Sequence, residues 1–278
     1  MSNIFTIDVE DYYQVEAFAS TIDRSHWDNY ESRVVDNTHV ILDLLDSHDV
    51  KGTFFVLGCV AEKHPELVRQ ISDRGHEIAS HGMSHRMVYK QTPEVFRDET
   101  RRAKALLEDI VQKEVRGYRA ATYSITQQSL WALDILVEEG FKYDSSIFPM
   151  RHDKYGMPGI DPLPHTIQTK SGPLVEIPIT VYRKGPVSIP CAGGGYFRLW
   201  PYWFTRWCLS SVNKKVEFNF YLHPWEVDAE QPRVANAGWL SRFRHYNNLD
   251  KCQDRLDRLL SDFKFATASE FLTTRGLL

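Results

Sequence analysis

Two histidines four residues apart, His81 and His85, form the first group in the sequence whose residue type and spacing could do chemistry. They follow a short, partly apolar stretch at residues 76–80 that predicts a strand, and Gly82 predicts the end of that strand. Two imidazole nitrogens at this spacing on a tight loop can converge on one cation. Because the chain contains 11 histidines, such a pair also arises by chance, and a metal site needs support from other residues.

Three acids in four residues form the second group. Residues 5–9 form a largely apolar stretch that predicts a buried strand, and this strand ends in the acidic cluster of Asp8, Glu10 and Asp11. An acidic cluster of this kind is often only a solvated turn. In parallel α/β folds, however, functional residues collect at the carboxyl ends of strands. The cluster is therefore a candidate for carboxylate chemistry.

Arg119, Asp144 and His223 stand at the ends of further predicted strands. Two histidines and one carboxylate leave open positions on a cation, as a catalytic Zn²⁺ site requires. A second carboxylate could then act as a base, a distant histidine as an acid, and the arginine and remaining aspartate as orienting groups. Each residue also has a structural alternative: a buried histidine before Pro224, an aspartate that caps a turn, an arginine in an ion pair.

The elements that must position these residues alternate between strand and helix. Predicted strands cover residues 5–9, 52–57, 76–80, 115–120 and 141–143, and helices are predicted at 34–46, 65–75, 92–110 and 126–140. This order predicts an α/β fold with parallel strands and crossover helices. The carboxyl ends of such strands lie on one face, so the candidate residues are expected to meet there.

The second half of the chain has a different pattern. Residues 152–190 are rich in Pro and Gly and predict extended segments and hairpins, with the best strand at 174–181. Three glycines at 193–195 could suggest a phosphate loop, but no Lys-Ser or Lys-Thr follows, so a tight loop bearing aromatic residues is favoured. A helix at 200–213, a strand at 217–222, a helix at 249–263 and a short strand at 263–266 complete the prediction. No linker or repeat is visible, and a single domain over 1–278 is predicted.

The composition of the chain limits the partners and the cellular location that we expect for the protein. The 278 residues are 42% hydrophobic and 13% aromatic, enough for a large core and for rings that stack on sugars. A formal net charge of −4 gives no electrostatic reason to expect nucleic acid as a partner. The four cysteines lack metal-binding or disulfide spacing, and neither a signal peptide nor an integral membrane segment is predicted. We therefore expect a reduced, cytoplasmic protein.

Six runs in order carry a family resemblance: T-I-D-V-E-D-Y-Y, G-T-F-F-V-L-G, H-E-I-A-S-H-G-M-S-H, G-Y-R-A-A-T-Y-S-I-T, G-F-K-Y-D-S-S-I-F-P and F-Y-L-H-P-W-E. Together they resemble the polysaccharide deacetylases of the NodB-homology type, carbohydrate esterase family 4. The later run R-F-R-H-Y-N-N-L is similar to a subgroup associated with exopolysaccharide loci and exosortase systems. The resemblance implies a distorted, incomplete (β/α) barrel, a divalent metal (Zn²⁺ most of all), and a subgroup-specific region at about 227–278.

The resemblance also implies a role for each candidate. It makes Asp8 the general base, His81 and His85 metal ligands, and Arg119 the residue that holds the base. It makes His223 the general acid and Asp144 its orienting partner.

Two departures from the family pattern affect these roles. The first motif reads Asp8-Val9-Glu10-Asp11, which leaves Glu10 or Asp11 as the third metal ligand; strand alternation favours Glu10 slightly. Ala121 replaces an expected proline, which predicts a less rigid loop before Thr122 and Tyr123, either of which could offer an oxyanion N–H.

The function implied is removal of N-acetyl groups from an oligo- or polysaccharide, in exopolysaccharide biosynthesis. Two alternatives stay open: an amidohydrolase of the same fold that acts on a cyclic amide or ureide, and a non-catalytic carbohydrate-binding relative. The second alternative would be expected to lose Asp8 or His223, and both are present.

Overall fold

A computed structural model describes residues 2–278 of the chain. Short apolar stretches form strands and amphipathic stretches form helices, in the alternating order that the sequence predicts. The strands are β1 (Asn3–Val9), β2 (Thr53–Val56), β3 (Glu77–Ser80), β4 (Gly117–Tyr118), β5 (Tyr143–Asp144), β6 (His165–Thr169), β7 (Gly172–Glu176), β8 (Val181–Lys184), β9 (Val187–Pro190), β10 (Asn219–Leu222) and β11 (Phe265–Ala266). The α-helices are α1 (Val34–Ser47), α2 (Gly58–Lys63), α3 (Pro65–Asp73), α4 (Pro93–Val111), α5 (Trp131–Glu138), α6 (Gly194–Leu199), α7 (Tyr202–Asn213), α8 (Trp239–Tyr246), α9 (Cys252–Asp262) and α10 (Ala268–Thr274).

One sheet runs through most of the chain in the order β10-β1-β2-β3-β4-β5-β7-β6, and β11 pairs with the start of β1. Its strands are parallel except β6, which forms a hairpin with β7. Among the described residues, β10 and β6 are not paired with each other. On β10 the backbone N–H of Asn219 instead donates to Thr180 Oγ1, four residues beyond the end of β7, at 2.8 Å. The fold is thus the predicted incomplete (β/α) barrel.

Strand alternation separates an outer core from an inner one. Phe54 packs outward in the large core beneath the helices, whereas its neighbour Phe55 packs inward beside Tyr143. Helix α10 closes the barrel at the amino ends of the strands, where Thr53 Oγ1 accepts a hydrogen bond from the Ala268 N–H at 2.8 Å. The carboxyl ends of the strands therefore remain the accessible end of the barrel.

Two local predictions are wrong. Thr126 does not cap a helix: Thr126 and Ser129 close a turn on each other, and α5 begins only at Trp131. The triple glycine is not only a loop, because α6 begins at Gly194. The reason is a close backbone approach: a Cβ at Gly193 would lie 1.9 Å from the Tyr221 carbonyl oxygen on β10. Glycine is needed there for contact with the sheet.

Candidate active site

The carboxyl end of β1 supplies two inward-facing carboxylates. Val9 packs into the outer core, so Asp8 and Glu10 on either side of it face the barrel interior. Both are almost fully buried, each with 2% exposure. Burial of two charged groups is costly unless they have partners, so their partners identify the site.

Glu10, His81 and His85 form a compact trio. Each offers one ligand atom, and these atoms all lie within 4.8 Å of one another. Glu10 Oε2 is 2.9 Å from His85 Nε2. The loop after β3 brings the two imidazoles together because Gly82 and His85 both adopt positive φ, 75° and 50°. Positive φ is uncommon for residues other than glycine, and histidine is among the few types that adopt it more readily.

The donor chemistry of this trio fits a divalent cation. Burial lowers the pKa of His81 to about 4, so its imidazole is neutral at pH 7, as metal ligation requires. Burial raises the pKa of Glu10, but His85 outweighs it and lowers that pKa to about 2. His81 Nδ1 donates to the Arg119 carbonyl at 2.8 Å, which leaves Nε2 free. Glu10 Oε2 is buried and accepts no hydrogen bond among the described residues, which leaves it available as a ligand atom.

Asp11, the alternative third ligand, lies in a different network. Its Oδ2 accepts hydrogen bonds from Ser32 Oγ at 2.7 Å and from the Arg33 N–H at 3.0 Å, and Oδ1 accepts from the Tyr12 N–H. The carboxylate thus satisfies donors at the start of α1, which a side chain there commonly does. Strand alternation turns Asp11 away from the histidines, so the trio contains Glu10 and not Asp11.

Arg119 holds Asp8. Its guanidinium is fully buried, 2.6 Å from Asp8 Oδ1, and it also donates to Thr6 Oγ1 at 2.9 Å. Ser145 receives two more of its hydrogen bonds, through Oγ and the carbonyl oxygen, and the Phe55 ring lies 4.1 Å below the guanidinium. An arginine fixed on so many sides keeps the Asp8 carboxylate in one orientation.

His223, after β10, points its Nε2 at the two carboxylates. That atom is 3.5 Å from Glu10 Oε1 and 3.9 Å from Asp8 Oδ2. Nδ1 is 2.8 Å from Glu226 Oε1, and Glu226 Oε2 is 2.6 Å from Arg198 Nε. Burial lowers the pKa of His223, but Glu226 and the nearby acids outweigh it and raise that pKa to about 9. The imidazole is therefore protonated at neutral pH and can donate a proton.

The prediction that Asp144 orients His223 is wrong in this structure. Asp144 hydrogen-bonds Ser146, and Glu176, its β-sheet neighbour, accepts from the Ile147 N–H at 3.0 Å. Burial, together with the like charge beside it, raises the pKa of Glu176 well above its usual range, and burial raises that of Asp144 to about 6. Two carboxyls buried side by side favour the protonated form, because both negative charges lack solvation and repel each other. Asp144 and Glu176 support the loop that carries Ser145, the partner of Arg119.

Glu226 and Arg198 are the site residues that sequence reasoning missed. Glu226 lies three residues after His223, and the 3₁₀ turn Pro224–Val227 brings the two side chains together. The His-x-x-Glu spacing was the available signal. No signal in the sequence pointed to Arg198, which follows the three glycines at 193–195, far from His223 along the chain.

A cavity of about 400 Å³ opens beside His223. Its walls are largely aromatic and come from several segments of the second half of the chain, with Tyr155 before β6, Tyr196 on α6, Tyr221 on β10, Trp225 on the turn after β10 and Phe243 on α8. His223 thus faces a cleft large enough for a sugar ring.

A profile described as "Polysaccharide deacetylase" matches residues 16–138, and a domain of unknown function (DUF3473) matches residues 145–273. The first part of the chain is thus similar to the polysaccharide deacetylase family. The histidine pair and Arg119 lie in this first matched part, whereas His223, Glu226 and Arg198 lie in the second. One sheet draws strands from both parts, although the prediction of a single domain over the whole chain stays a prediction.

Two relatives of known name match parts of this chain. The chain is 32% identical over 96 residues to a chitooligosaccharide deacetylase of Bradyrhizobium sp., covering 34% of this chain and 42% of that protein. It is 26% identical over 168 residues to the peptidoglycan-N-acetylmuramic acid deacetylase PdaA of Bacillus subtilis, covering 53% and 61%. The chain therefore spans less than two thirds of the length of either relative.

A solved structure shows the same fold over nearly the whole chain. A candidate polysaccharide deacetylase from Mycobacterium smegmatis aligns with a TM-score of 0.61 at 20% identity, covering 98% of this chain and 88% of that one. The likeness supports the barrel-like architecture.

Proposed function

We propose that this protein hydrolyses the N-acetyl groups of amino sugars in a polysaccharide, with a divalent cation held by Glu10, His81 and His85. The observation that carries the proposal is the convergence of this trio with the Asp8–Arg119 pair and His223 at one end of the barrel. The names of the relatives, which are deacetylases of chitooligosaccharide and peptidoglycan, support the reaction class.

The ligand set favours Zn²⁺, since two imidazoles and one carboxylate are a usual set of three protein ligands for a catalytic zinc ion. When bound, such a cation polarises a carbonyl group and lowers the pKa of water towards about 7. All other steps fall to the side chains around it.

Asp8 is placed to take the proton of the attacking water. Its Oδ1 is occupied by Arg119 at 2.6 Å, which leaves Oδ2 directed at the space between Glu10 and His223. The hydrogen-bonded ion pair with Arg119 keeps the carboxylate of Asp8 in one orientation for its role as the base. The pair is buried, so the orientation of Asp8 is set before substrate enters.

His223 is placed to return a proton to the leaving amine. An amine departs from a tetrahedral centre readily only when it is protonated. Glu226 fixes the imidazole so that Nδ1 faces the protein and Nε2 faces the reaction site. The stacked Trp225 ring, 5.2 Å from the imidazole, limits its rotation further.

The oxyanion donor in this proposal is the Thr122 N–H. The Tyr123 N–H is already bonded to the Ala120 carbonyl at 3.0 Å, whereas the Thr122 N–H has no partner in the described part of the chain. Thr122 and Tyr123 both have positive φ, 57° and 50°, a strained arrangement that recurs at functional sites. A fixed N–H beside the reacting carbonyl stabilises developing negative charge.

The biological setting remains part of the proposal. A role in exopolysaccharide biosynthesis and a cytoplasmic location are predictions from the sequence alone. Among the helices of residues 2–278, none combines the length and apolar character needed to span a bilayer.

The decisive test is acetate release by purified protein. We expect release from N-acetylglucosamine oligomers, loss after chelation and recovery with Zn²⁺. Allantoin, a cyclic ureide, serves as the competing substrate: hydrolysis of allantoin without acetate release would replace this proposal by the ureide alternative. Oligomer binding without any hydrolysis after metal supplementation would favour the non-catalytic alternative.

A further inference from the structure

The aromatic cavity beside His223 contains polar groups that the proposed reaction does not use. Three tyrosines line it, Tyr155, Tyr196 and Tyr221, and none of their hydroxyl groups forms a hydrogen bond to another residue within the described chain. Hydroxyl groups so exposed to a cavity can bind a ligand rich in oxygen atoms.

The cavity also has a charge asymmetry. No aspartate or glutamate lines it, whereas Arg244 does. The Arg244 guanidinium forms no ion pair with any described residue. Burial lowers the pKa of His152, the negative charge of Asp153 raises it, and Arg244 lowers it by less than Asp153 raises it. The nearby Asp153 is exposed and is not part of the lining. An unpaired arginine in an aromatic cavity without carboxylates favours an anionic ligand.

The backbone of Arg244 is held at a defined place relative to the reaction site, whereas its side chain is exposed. Arg244 lies on α8, and its carbonyl oxygen accepts a hydrogen bond from Arg198 at 3.1 Å. Arg198 also donates to the carbonyl oxygens of His245 and Asn247 and pairs with Glu226, the partner of His223. The buried guanidinium of Arg198 thus links the helix that carries Arg244 to Glu226, the partner of the candidate acid His223.

We propose that this cavity binds an anionic group of the glycan, a carboxylate or a phosphate, next to the sugar that carries the scissile acetamide. The inference rests on the proposed deacetylation and specifies its substrate class: a charged N-acetylated glycan rather than neutral chitin-like chains. Arg244 recognises the anion, and the tyrosine hydroxyls recognise the neighbouring oxygen atoms.

Binding to metal-free protein tests the inference without relying on turnover. Calorimetry at low salt would compare a neutral N-acetylglucosamine tetramer, an oligosaccharide of alternating N-acetylglucosamine and glucuronic acid, and N-acetylglucosamine 1-phosphate. At least one anionic probe should bind roughly tenfold or more tightly than the neutral tetramer, with the preference weakened by salt. The two anionic probes distinguish a uronic acid from a phosphorylated glycan.

Arg244→Gln should abolish this preference. Arg242→Gln is the matched control, because Arg242 is an exposed arginine on the same helix that does not line the cavity. Equal affinity for neutral and anionic probes, absence of binding by every probe, or equal losses in the two variants would overturn the inference. Charge-selective binding without acetate release would instead reject the proposed function and retain the anion site.

Discussion

The Nδ1 atom of His223 lies 2.8 Å from Glu226 Oε1, three residues further along the chain, and Glu226 in turn lies 2.6 Å from Arg198. This pairing gives His223 an orienting carboxylate from its own turn rather than from a distant strand. It also commits Nε2 to the side of Asp8 and Glu10. The experiments below follow from that arrangement and from the neighbouring cation trio.

His223→Ala should reduce amide deacetylation far more than cleavage of 4-nitrophenyl acetate, because a phenolate leaves without a proton and an amine does not. Glu226→Gln should show a weaker form of the same bias, about 10–100-fold on the amide. The measurement is the ratio of turnover on an N-acetylglucosamine oligomer to turnover on the aryl ester. Asp144→Asn is the control and should leave the ratio unchanged. A bias in Asp144→Asn but not in Glu226→Gln would return the orienting role to Asp144.

Conservative substitutions should distinguish the role of Asp8 from that of Glu10. Asp8→Asn removes the proposed base, so turnover should fall roughly 10²–10⁴-fold while the cation content stays near the wild-type value. Glu10→Gln removes the only carboxylate of the trio, so cation content should fall as well. Elemental analysis beside steady-state kinetics measures both quantities. Loss of cation in Asp8→Asn with full content in Glu10→Gln would exchange the two roles.

The trio of Glu10, His81 and His85 predicts how many cations each chain binds. Purified protein supplied with Zn²⁺ should hold about one ion per chain. His81→Ala should lose it, because a trio reduced to Glu10 and His85 has too few ligands for tight binding. His39→Ala, a surface histidine on α1 bonded to Gln70, is the control and should keep it. Equal zinc content in both variants would show that the ion lies elsewhere.

The Asp144–Glu176 pair should make stability depend on pH. Burial raises the pKa of both carboxyls in the folded protein, so the folded state holds more protons than the unfolded state above about pH 4. The contribution of Asp144 to the free energy of unfolding is therefore present at low pH and lost as pH rises through about 6, and that of Glu176 is lost at higher pH in the same direction. One such proton corresponds to about 1.4 kcal/mol per pH unit.

Glu176→Gln removes this proton linkage but can still accept from the Ile147 N–H. The variant should gain stability relative to the wild type as pH rises from 4 to 8, as measured by urea unfolding at each pH. Glu62→Gln, at an exposed site on α2, should follow the wild-type profile. A constant difference between Glu176→Gln and the wild type at every pH would show that the pair holds no extra proton.

Much of this architecture was predictable from local sequence because the responsible patterns are short. Apolar runs such as residues 5–9 and 52–57 predicted buried strands, and Thr92-Pro93 marked the start of α4, where Thr92 accepts a hydrogen bond from the Val95 N–H. The alternation of strands and helices predicted that candidate residues would meet at the carboxyl end of a parallel sheet. Strand periodicity also favoured Glu10 over Asp11, since the side chains of Asp8 and Glu10 face the same way.

Only the tertiary structure decided which partner each buried charge finds. Asp11 bonds to the start of α1, Asp144 lies opposite Glu176 in the sheet, and Arg198 crosses to Glu226 from 28 residues away in sequence. No local pattern encodes these pairings, because the side chains meet only when distant strands and loops pack together. A buried charge takes the nearest compensating group in space, and that distance is set by the fold rather than by spacing along the chain.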